Sequence, residues 1–270
     1  MSIPLPPPVV VCFSGHDPTG GAGVQADIET ISRFGCHAAS VITCLTVQDS
    51  VNVRRLIAQN RDDFSMQAHT LLADLPVAVF KIGLLGDAMI AEAVADVLET
   101  YPAVPVVLDP ILAAGGGQAL AGERLLAVIR TRLIPRTTLL TPNTPEAFRL
   151  TGLNDPEQAG QALLAAGCAH VLLTGTHETA AEGQAVINRW FSAEGIRYWQ
   201  WPRLPHCYHG SGCTLAAAAA ACLARRGCTA LPTVLTEAQQ FAWNSLQQGY
   251  AIGRGQWFPA RSAPPAPLNR

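Results

Sequence analysis

The chain reads as an α/β protein, a three-layer α/β/α sandwich built on a mostly parallel central sheet. Short apolar runs, as at Val9–Phe13, Ala38–Leu45, Val77–Ile82 and Val104–Leu108, have the composition of strands buried on both faces. Helical patterns of about 10–15 residues separate them, the spacing of parallel crossover units. Most of these strands empty into a glycine-rich or polar stretch. With 270 residues, 49% of them hydrophobic and 14% charged, the chain can fill one large core. No repeat or composition shift marks a linker. One domain is expected over residues 9–253, with 1–8 and 254–270 as flexible termini.

In order, Val9–Phe13 runs into Ser14–Gly23, and a helix follows from Val24 to Phe34, ended by Gly35. The strand Ala38–Leu45 ends in Thr46-Val47-Gln48-Asp49-Ser50, and Val51–Ile57 is a short further strand. Residues 61–74 open with Asp62 and Asp63, acids that favour a helix N-terminus. Val77–Ile82 leads into Gly83-Leu84-Leu85-Gly86, then a helix spans Ala88–Glu99. Val104–Leu108 ends at Asp109-Pro110, with Ile111 next. A helix over 120–132 precedes the strand Thr138–Leu140 and the stretch Thr141-Pro142-Asn143-Thr144-Pro145-Glu146. A helix over 156–166 leads to the strand His170–Leu173 and then Thr174-Gly175-Thr176-His177. Ala185–Phe191 and Ile196–Trp201 alternate and predict an antiparallel edge hairpin. Next come His209-Gly210-Ser211-Gly212-Cys213-Thr214 and an alanine-rich helix, then a last helix over 232–250. Residues 253–270, rich in Pro, Gly and Arg, read as a mobile tail.

Net charge is −2 and the isoelectric point about 6.4, so no basic face points to nucleic acid or an anionic membrane. No apolar run reaches spanning length. Met1–Pro8 lacks a basic segment and reads as a frayed end, not a leader. Eight scattered cysteines form no CxxC pair and no zinc spacing, as in a protein of a reducing cytoplasm. A small-molecule partner is the expectation.

Ligands of open α/β sheets sit beyond the carboxyl ends of the strands. Gly15, Asp17, Gln48, Lys81, Asp109, Asn143, Glu146 and Thr174 all fall there. The stretch before the alanine-rich helix adds an anion site. The first turn has backbone N–H groups without partners, the helix dipole places partial positive charge on them, and glycine lets an anion approach closely. Cys213 stands at that N-terminus, where a thiolate is stabilised. It could act as base in phosphoryl transfer. It could equally be the nucleophile of a hydrolase, with His209 or His177 as partner. Asp109, Asn143 and Glu146 offer oxygen ligands suited to Mg²⁺, although Asn143 and Glu146 also have the spacing of a capping box. Ser14–Gly23 reads as a glycine-rich wall or lid over a substrate. Its Gly21-Ala22-Gly23-Val24-Gln25-Ala26 matches GxGxxA, but seven residues separate it from the strand where a dinucleotide turn would be tight. A Walker-type loop and the protein-kinase motifs are absent.

Taken together, SGHDPTGGAGVQADIETISRFG, ITCLTVQDS, KIGLLG, VLDPIL, TPNTPEA and HGSGCTLAAAAAACLA resemble the hydroxymethylpyrimidine/phosphomethylpyrimidine kinases of thiamine biosynthesis, within the ribokinase-like superfamily. The resemblance runs over about residues 9–250. It implies an ATP-dependent kinase that phosphorylates 4-amino-5-hydroxymethyl-2-methylpyrimidine and then its monophosphate. It implies Cys213 as base and Gly210, Ser211, Gly212 and Cys213 as the anion hole. Gln48 would bond the aminopyrimidine edge, as an amide that both donates and accepts. Gly15, Asp17, Leu84 and Ile111 would complete the substrate pocket. Asn143, Glu146, Thr174, Gly175 and His177 would bind ATP, and Asp109 and Glu146 would hold Mg²⁺. A cytoplasmic homodimer is implied as well. The chain departs from the family pattern at Thr174, where lysine is usual, at Asp49, where asparagine is usual, and at Asn188, where aspartate is common. A pyridoxal or pyridoxine kinase of the same fold and a non-catalytic pyrimidine sensor are the alternatives.

Overall fold

In the computed structural model, residues 5–113, 120–176 and 185–262 are described. The strands are β1 (Val9–His16), β2 (His37–Gln48), β3 (Val53–Ala58), β4 (Val77–Ile82), β5 (Val106–Leu108), β6 (Leu139–Leu140), β7 (His170–Leu173), β8 (Ala185–Ser192) and β9 (Gly195–Pro202). They form a single nine-stranded sheet in the order β3-β2-β1-β4-β5-β6-β7-β8-β9. The six strands from β2 through β7 pair in parallel. Antiparallel β3 closes one edge and the β8–β9 hairpin the other. The alternating patterns at residues 185–201 foretold that hairpin.

The helices are α1 (Gly23–Arg33), α2 (Arg61–Asp74), α3 (Ala88–Thr100), α4 (Glu123–Val128), α5 (Thr144–Thr151), α6 (Pro156–Ala165), α7 (Ser211–Arg226) and α8 (Leu231–Gln247). Two cores flank the sheet, because successive side chains of a strand point to opposite faces. Val9, Val11 and Phe13 of β1 pack with residues of α2 through α6. Val10 and Cys12 pack on the other face with α1, α7 and α8. This is why the central strands read as unbroken apolar runs. Each fully buried Val or Phe contributes roughly 1.5–3 kcal/mol of transfer free energy. The six alanines Ala216–Ala221 are each 0% exposed, so their small side chains seat α7 directly against the sheet.

The helix expected over 120–132 is α4 followed by a π-helical turn at Ile129–Leu133 and a tight turn at Ile134–Arg136, where Pro135 ends it. The helix opening at Asp62 and Asp63 is capped by Asn60, whose side chain accepts from both backbone N–H groups. The expected mobile tail is a different matter. Trp257 N–H donates to Cys207 O at 2.9 Å, Trp257 O accepts from His209 N–H at 2.8 Å, and Phe258 and Arg261 are each 3% exposed. The segment through Arg261 is therefore folded onto the body. The sequence showed only its Pro, Gly and Arg content and gave no sign of these partners. Residues 1–4 and 263–270 of the expected termini lie outside the described residues. Among the described residues, no helix is long and apolar enough to cross a membrane.

Sheet order positions the site. From β1 the chain moves first to β2 on one side and later to β4 on the other. The loops leaving β1 and β4 therefore part, and a crevice opens over their carboxyl ends.

Candidate active site

A cleft of about 470 Å³ lies in that crevice. Gly15, Asp17, Gln48, Leu84, Asp109, Ile111, Asn143, Glu146, Thr174 and the Gly210–Cys213 stretch all line it. Residues scattered over two hundred positions meet there because six parallel strands deliver their ends to one edge. Of the other sequence-predicted positions, Gly175 does not line the cleft; its N–H donates to Asn188 Oδ1 at 3.2 Å. His177 lies outside the described residues.

The stretch Gly210–Cys213, expected to hold an anion, opens on a left-handed glycine. Gly210 precedes α7 with φ 73°, a left-handed conformation, and a Cβ there would stand 2.0 Å from Gly21 O. The two glycine loops thus touch at a place where only glycine fits. No side chain caps α7, so its first N–H groups remain for a ligand. Gly23, at φ 61°, starts α1 and directs its N–H at the Cys213 sulfur.

Cys213 is 6% exposed. The expected thiolate is corrected here. Burial pushes the thiol up to about 12, and the Asp109 and Asp27 carboxylates add to this, outweighing the lowering by the Lys81 ammonium and the Gly23 N–H. The helix N-terminus alone does not ionise it. The hydrolase pairing is not made with His209 either. That imidazole is committed to Asp17, with Nε2 2.8 Å from Oδ2.

Asp17 serves a different end from the one expected. Its carboxylate accepts from Thr19 N–H at 2.8 Å, Ala22 N–H at 2.8 Å and the Thr19 hydroxyl at 2.9 Å, besides His209. Gln25 bonds its backbone on both sides. Burial would raise the Asp17 carboxyl, but the hydrogen bonds from His209 and then Thr19 hold it down at about 2. Its oxygens are engaged by Thr19 and Ala22 of the loop and by His209, so Asp17 shapes the wall of the pocket instead of reaching for substrate. Ser14–Gly23 is a pinned wall, not a dinucleotide turn.

The capping box at α5 is real. Asn143 Oδ1 accepts from Glu146 N–H at 2.9 Å, and Glu146 Oε2 accepts from Asn143 N–H at 3.0 Å. Glu146 Oε1 accepts from Leu112 N–H at 3.3 Å. Burial, with the Asp109 charge next in importance, pushes Glu146 above the usual carboxylate range. Asp109 is also raised by burial, although Lys81 draws it back. Asp109 Oδ2 is buried and has no hydrogen-bond partner. An orphaned carboxylate oxygen facing a cleft fits a cation. Among the described residues, no group of three or more His, Cys, Asp or Glu side chains could hold a metal alone.

Sequence reasoning placed Lys81 at a strand end but missed its partner Asp27 and two further supports. Lys81 and Asp27, each 0% exposed, form an ion pair with Nζ 2.8 Å from Oδ1, beneath Cys213 and Asp109. Asp27 gave no signal, sitting one turn into an ordinary amphipathic helix. At the far side, Asn188 donates to Gln239 Oε1 at 2.9 Å, Trp201 donates to the same oxygen at 3.1 Å, and Trp201 stacks near Trp243 at 6.3 Å. These give the cleft an apolar lobe with Val186, Ala242 and Leu246. Arg261, whose guanidinium bonds Thr214 and Gly21, is the third.

The family model described as phosphomethylpyrimidine kinase matches residues 17–259. The hydroxymethylpyrimidine/phosphomethylpyrimidine kinase of Escherichia coli strain K12 is 35% identical over 92% of this chain and 96% of its own. Its counterpart from Salmonella typhimurium is 38% identical over 77% of this chain and 80% of its own. Among solved structures, the pyridoxal kinase of Staphylococcus aureus in complex with pyridoxal superposes with TM-score 0.83 at 24% identity, covering 94% of this chain and 93% of that one; it speaks to the fold. The phosphomethylpyrimidine kinase of Clostridium difficile 630 gives TM-score 0.73 at 26% identity, over 87% and 99%. The match begins in the first glycine loop and continues through the last helix, and on that ground this chain belongs to the phosphomethylpyrimidine kinase family.

Proposed function

We propose that this kinase transfers the γ-phosphoryl group of ATP to 4-amino-5-hydroxymethyl-2-methylpyrimidine and then to the resulting monophosphate, supplying the diphosphate for thiamine biosynthesis. One observation carries the reading: a buried thiol at an uncapped, glycine-lined helix N-terminus shares a cleft with an amide, Gln48, and an orphaned carboxylate, Asp109. The family membership supports the same substrate.

In this reading the pyrimidine ring lies against Gly15, Leu84 and Ile111, with its aminopyrimidine edge on Gln48. The nucleotide occupies the lobe beside Asn143 and Thr174, its base toward the apolar residues near Trp243. Phosphoryl transfer proceeds with little covalent participation by protein, so positioning and charge stabilisation dominate. The acceptor oxygen bonds to the γ-phosphorus, the bond from that phosphorus to the bridging oxygen breaks, and ADP departs. The N–H groups of Gly210–Cys213 receive the charge on the migrating group. The Cys213 thiol first gives its own proton to water, and the thiolate so formed takes the hydroxymethyl proton. Because the transition state is loose, that proton leaves late, and the raised pKa makes the sparsely populated thiolate a strong base for it. Mg²⁺ would be held by Asp109, with Glu146 behind it, and would neutralise phosphate charge.

Localisation in the cytoplasm is supported by eight cysteines that are all free. A homodimer is supported by Leu45, Val47, Val51 and Ile57, apolar residues left exposed at the β2–β3 edge.

The test is ATP consumption by the full chain with the pyrimidine alcohol, with products resolved by mass into monophosphate and diphosphate, beside a parallel reaction on pyridoxal. Formation of both pyrimidine products is expected. Strong preference for pyridoxal, or no ATP-dependent product from the pyrimidine, would overturn the proposal.

A further inference from the structure

Arg261 stands beyond the stretch that the family model matches and within the segment whose sequence suggested a loose tail. It is 3% exposed. Its guanidinium reaches into the junction between the two glycine loops. Nε donates to Thr214 Oγ1 at 2.8 Å, Nη1 donates to Gly20 O at 3.3 Å and to Glu29 Oε2 at 3.1 Å, and Nη2 donates to Gly21 O. Thr214 in turn donates its hydroxyl to Gly210 O at 2.8 Å. A Cβ on Gly210 would lie 2.8 Å from Nη2, so the cation sits directly behind the backbone of the anion hole.

The arrangement answers a physical need. Glycine loops lose more conformational entropy on ordering than other sequences, so they are poor at holding amides in fixed directions. Here Gly20, Gly21 and Gly210 converge with no side chains of their own to pack. A planar fork with five N–H donors can fasten several acceptors at once, which a lysine ammonium cannot do in the same geometry. The guanidinium also brings positive charge behind the N–H groups that face the anion.

We propose that Arg261 is a positioning residue for phosphoryl transfer. It fastens the first glycine loop to the first turn of α7, aims the amides of Gly210–Cys213, and adds a fixed positive charge behind them. The catalytic consequence rests on the kinase reading above; the fastening itself does not.

The experiment compares wild type, Arg261→Ala and Arg261→Lys as full chains. In Arg261→Ala, kcat is expected to fall by about 10²-fold, as for a small misplacement of reacting groups, while pyrimidine affinity stays within about threefold. Millimolar guanidinium chloride should restore at least about tenfold of that loss, and sodium chloride at equal ionic strength should not. Arg261→Lys keeps the charge without the fork and should lose about tenfold in kcat. If the alanine variant does not fold, the same kcat-against-affinity comparison in the lysine variant decides. Either soluble variant with kcat within twofold of wild type would overturn the proposal. So would a loss that follows thermal melting and pyrimidine affinity together and resists guanidinium, since that marks a staple with no aiming role. Hydrogen exchange gives a readout independent of turnover. Ala22 N–H and Thr214 N–H are both hydrogen-bonded, and in Arg261→Lys they should exchange at least about tenfold faster while the sheet amides hold. Unchanged exchange overturns the fastening. A wild-type chain that consumes no ATP sinks the kinase reading and leaves the exchange result to judge Arg261.

Discussion

Removing the ammonium of Lys81 tests the electrostatic floor of the site. Lys81 and Asp27 are both fully buried, on β4 and α1. Nζ bonds Asp27 Oδ2 at 3.0 Å and Ser14 Oγ at 3.2 Å, and Ser14 Oγ donates to Asp27 Oδ2 at 2.6 Å. Asp27 Oδ1 lies 2.8 Å from Nζ as an ion-pair contact and accepts no hydrogen bond. Lys81→Met therefore leaves a carboxylate in the core with one hydroxyl for company. Breaking a buried pair from one side costs about 3–5 kcal/mol, mostly because the remaining charge is stranded. Removing both charges should cost far less. In Lys81→Met/Asp27→Leu the stranded charge is gone, and the remaining debit is chiefly the Ser14 hydroxyl, about 1–3 kcal/mol. Urea unfolding of wild type, both single variants and the double variant gives the cycle. The double variant is expected to be more stable than Lys81→Met by about 1 kcal/mol or more. A single variant that loses less than about 1 kcal/mol, or a double variant no better than the single, would refute the idea that the pair is held by mutual need.

Three other outcomes follow from the geometry. Cys213→Ala should lower kcat by about 10²–10⁴-fold while leaving pyrimidine binding nearly intact, and the wild-type rate should climb between about pH 6 and about pH 9, since an acceptor of protons with a raised pKa works better as pH rises; an equally active, equally pH-dependent variant would remove the sulfur from the reaction. Gln48→Ala should weaken the pyrimidine by about 1–3 kcal/mol in calorimetry, the cost of an unmatched polar edge. Asp17 has a folded pKa of about 2 against an ordinary value of 3.8, so its contribution is present above the ordinary value and is lost as pH falls toward 2. Acid denaturation of Asp17→Asn should lack about 1–2 kcal/mol of that dependence, and superimposable acid curves would contradict it.

Sequence alone determined the alternation of strands and helices, the edge hairpin, and the strand ends at which polar residues gather. These are local properties: periodicity records which side chains a strand or helix must bury, and glycine before an alanine-rich helix records an N-terminus open to anions. The identities of Gln48, Asp109, Cys213 and their neighbours as one site were legible through the ordered motifs that carry the family resemblance. Which groups those residues face could be decided only by the tertiary structure. Asp17 and His209 are 192 positions apart, Lys81 and Asp27 are 54, and Arg261 and Gly21 are 240. A thiol's ionisation depends on the surrounding dielectric and charge, so the helix N-terminus that argued for a thiolate was outweighed by burial. The C-terminal segment shows the same limit. Its composition resembles that of a free tail, and it is held by hydrogen bonds to carbonyls whose positions exist only once the sheet has brought the two glycine loops together.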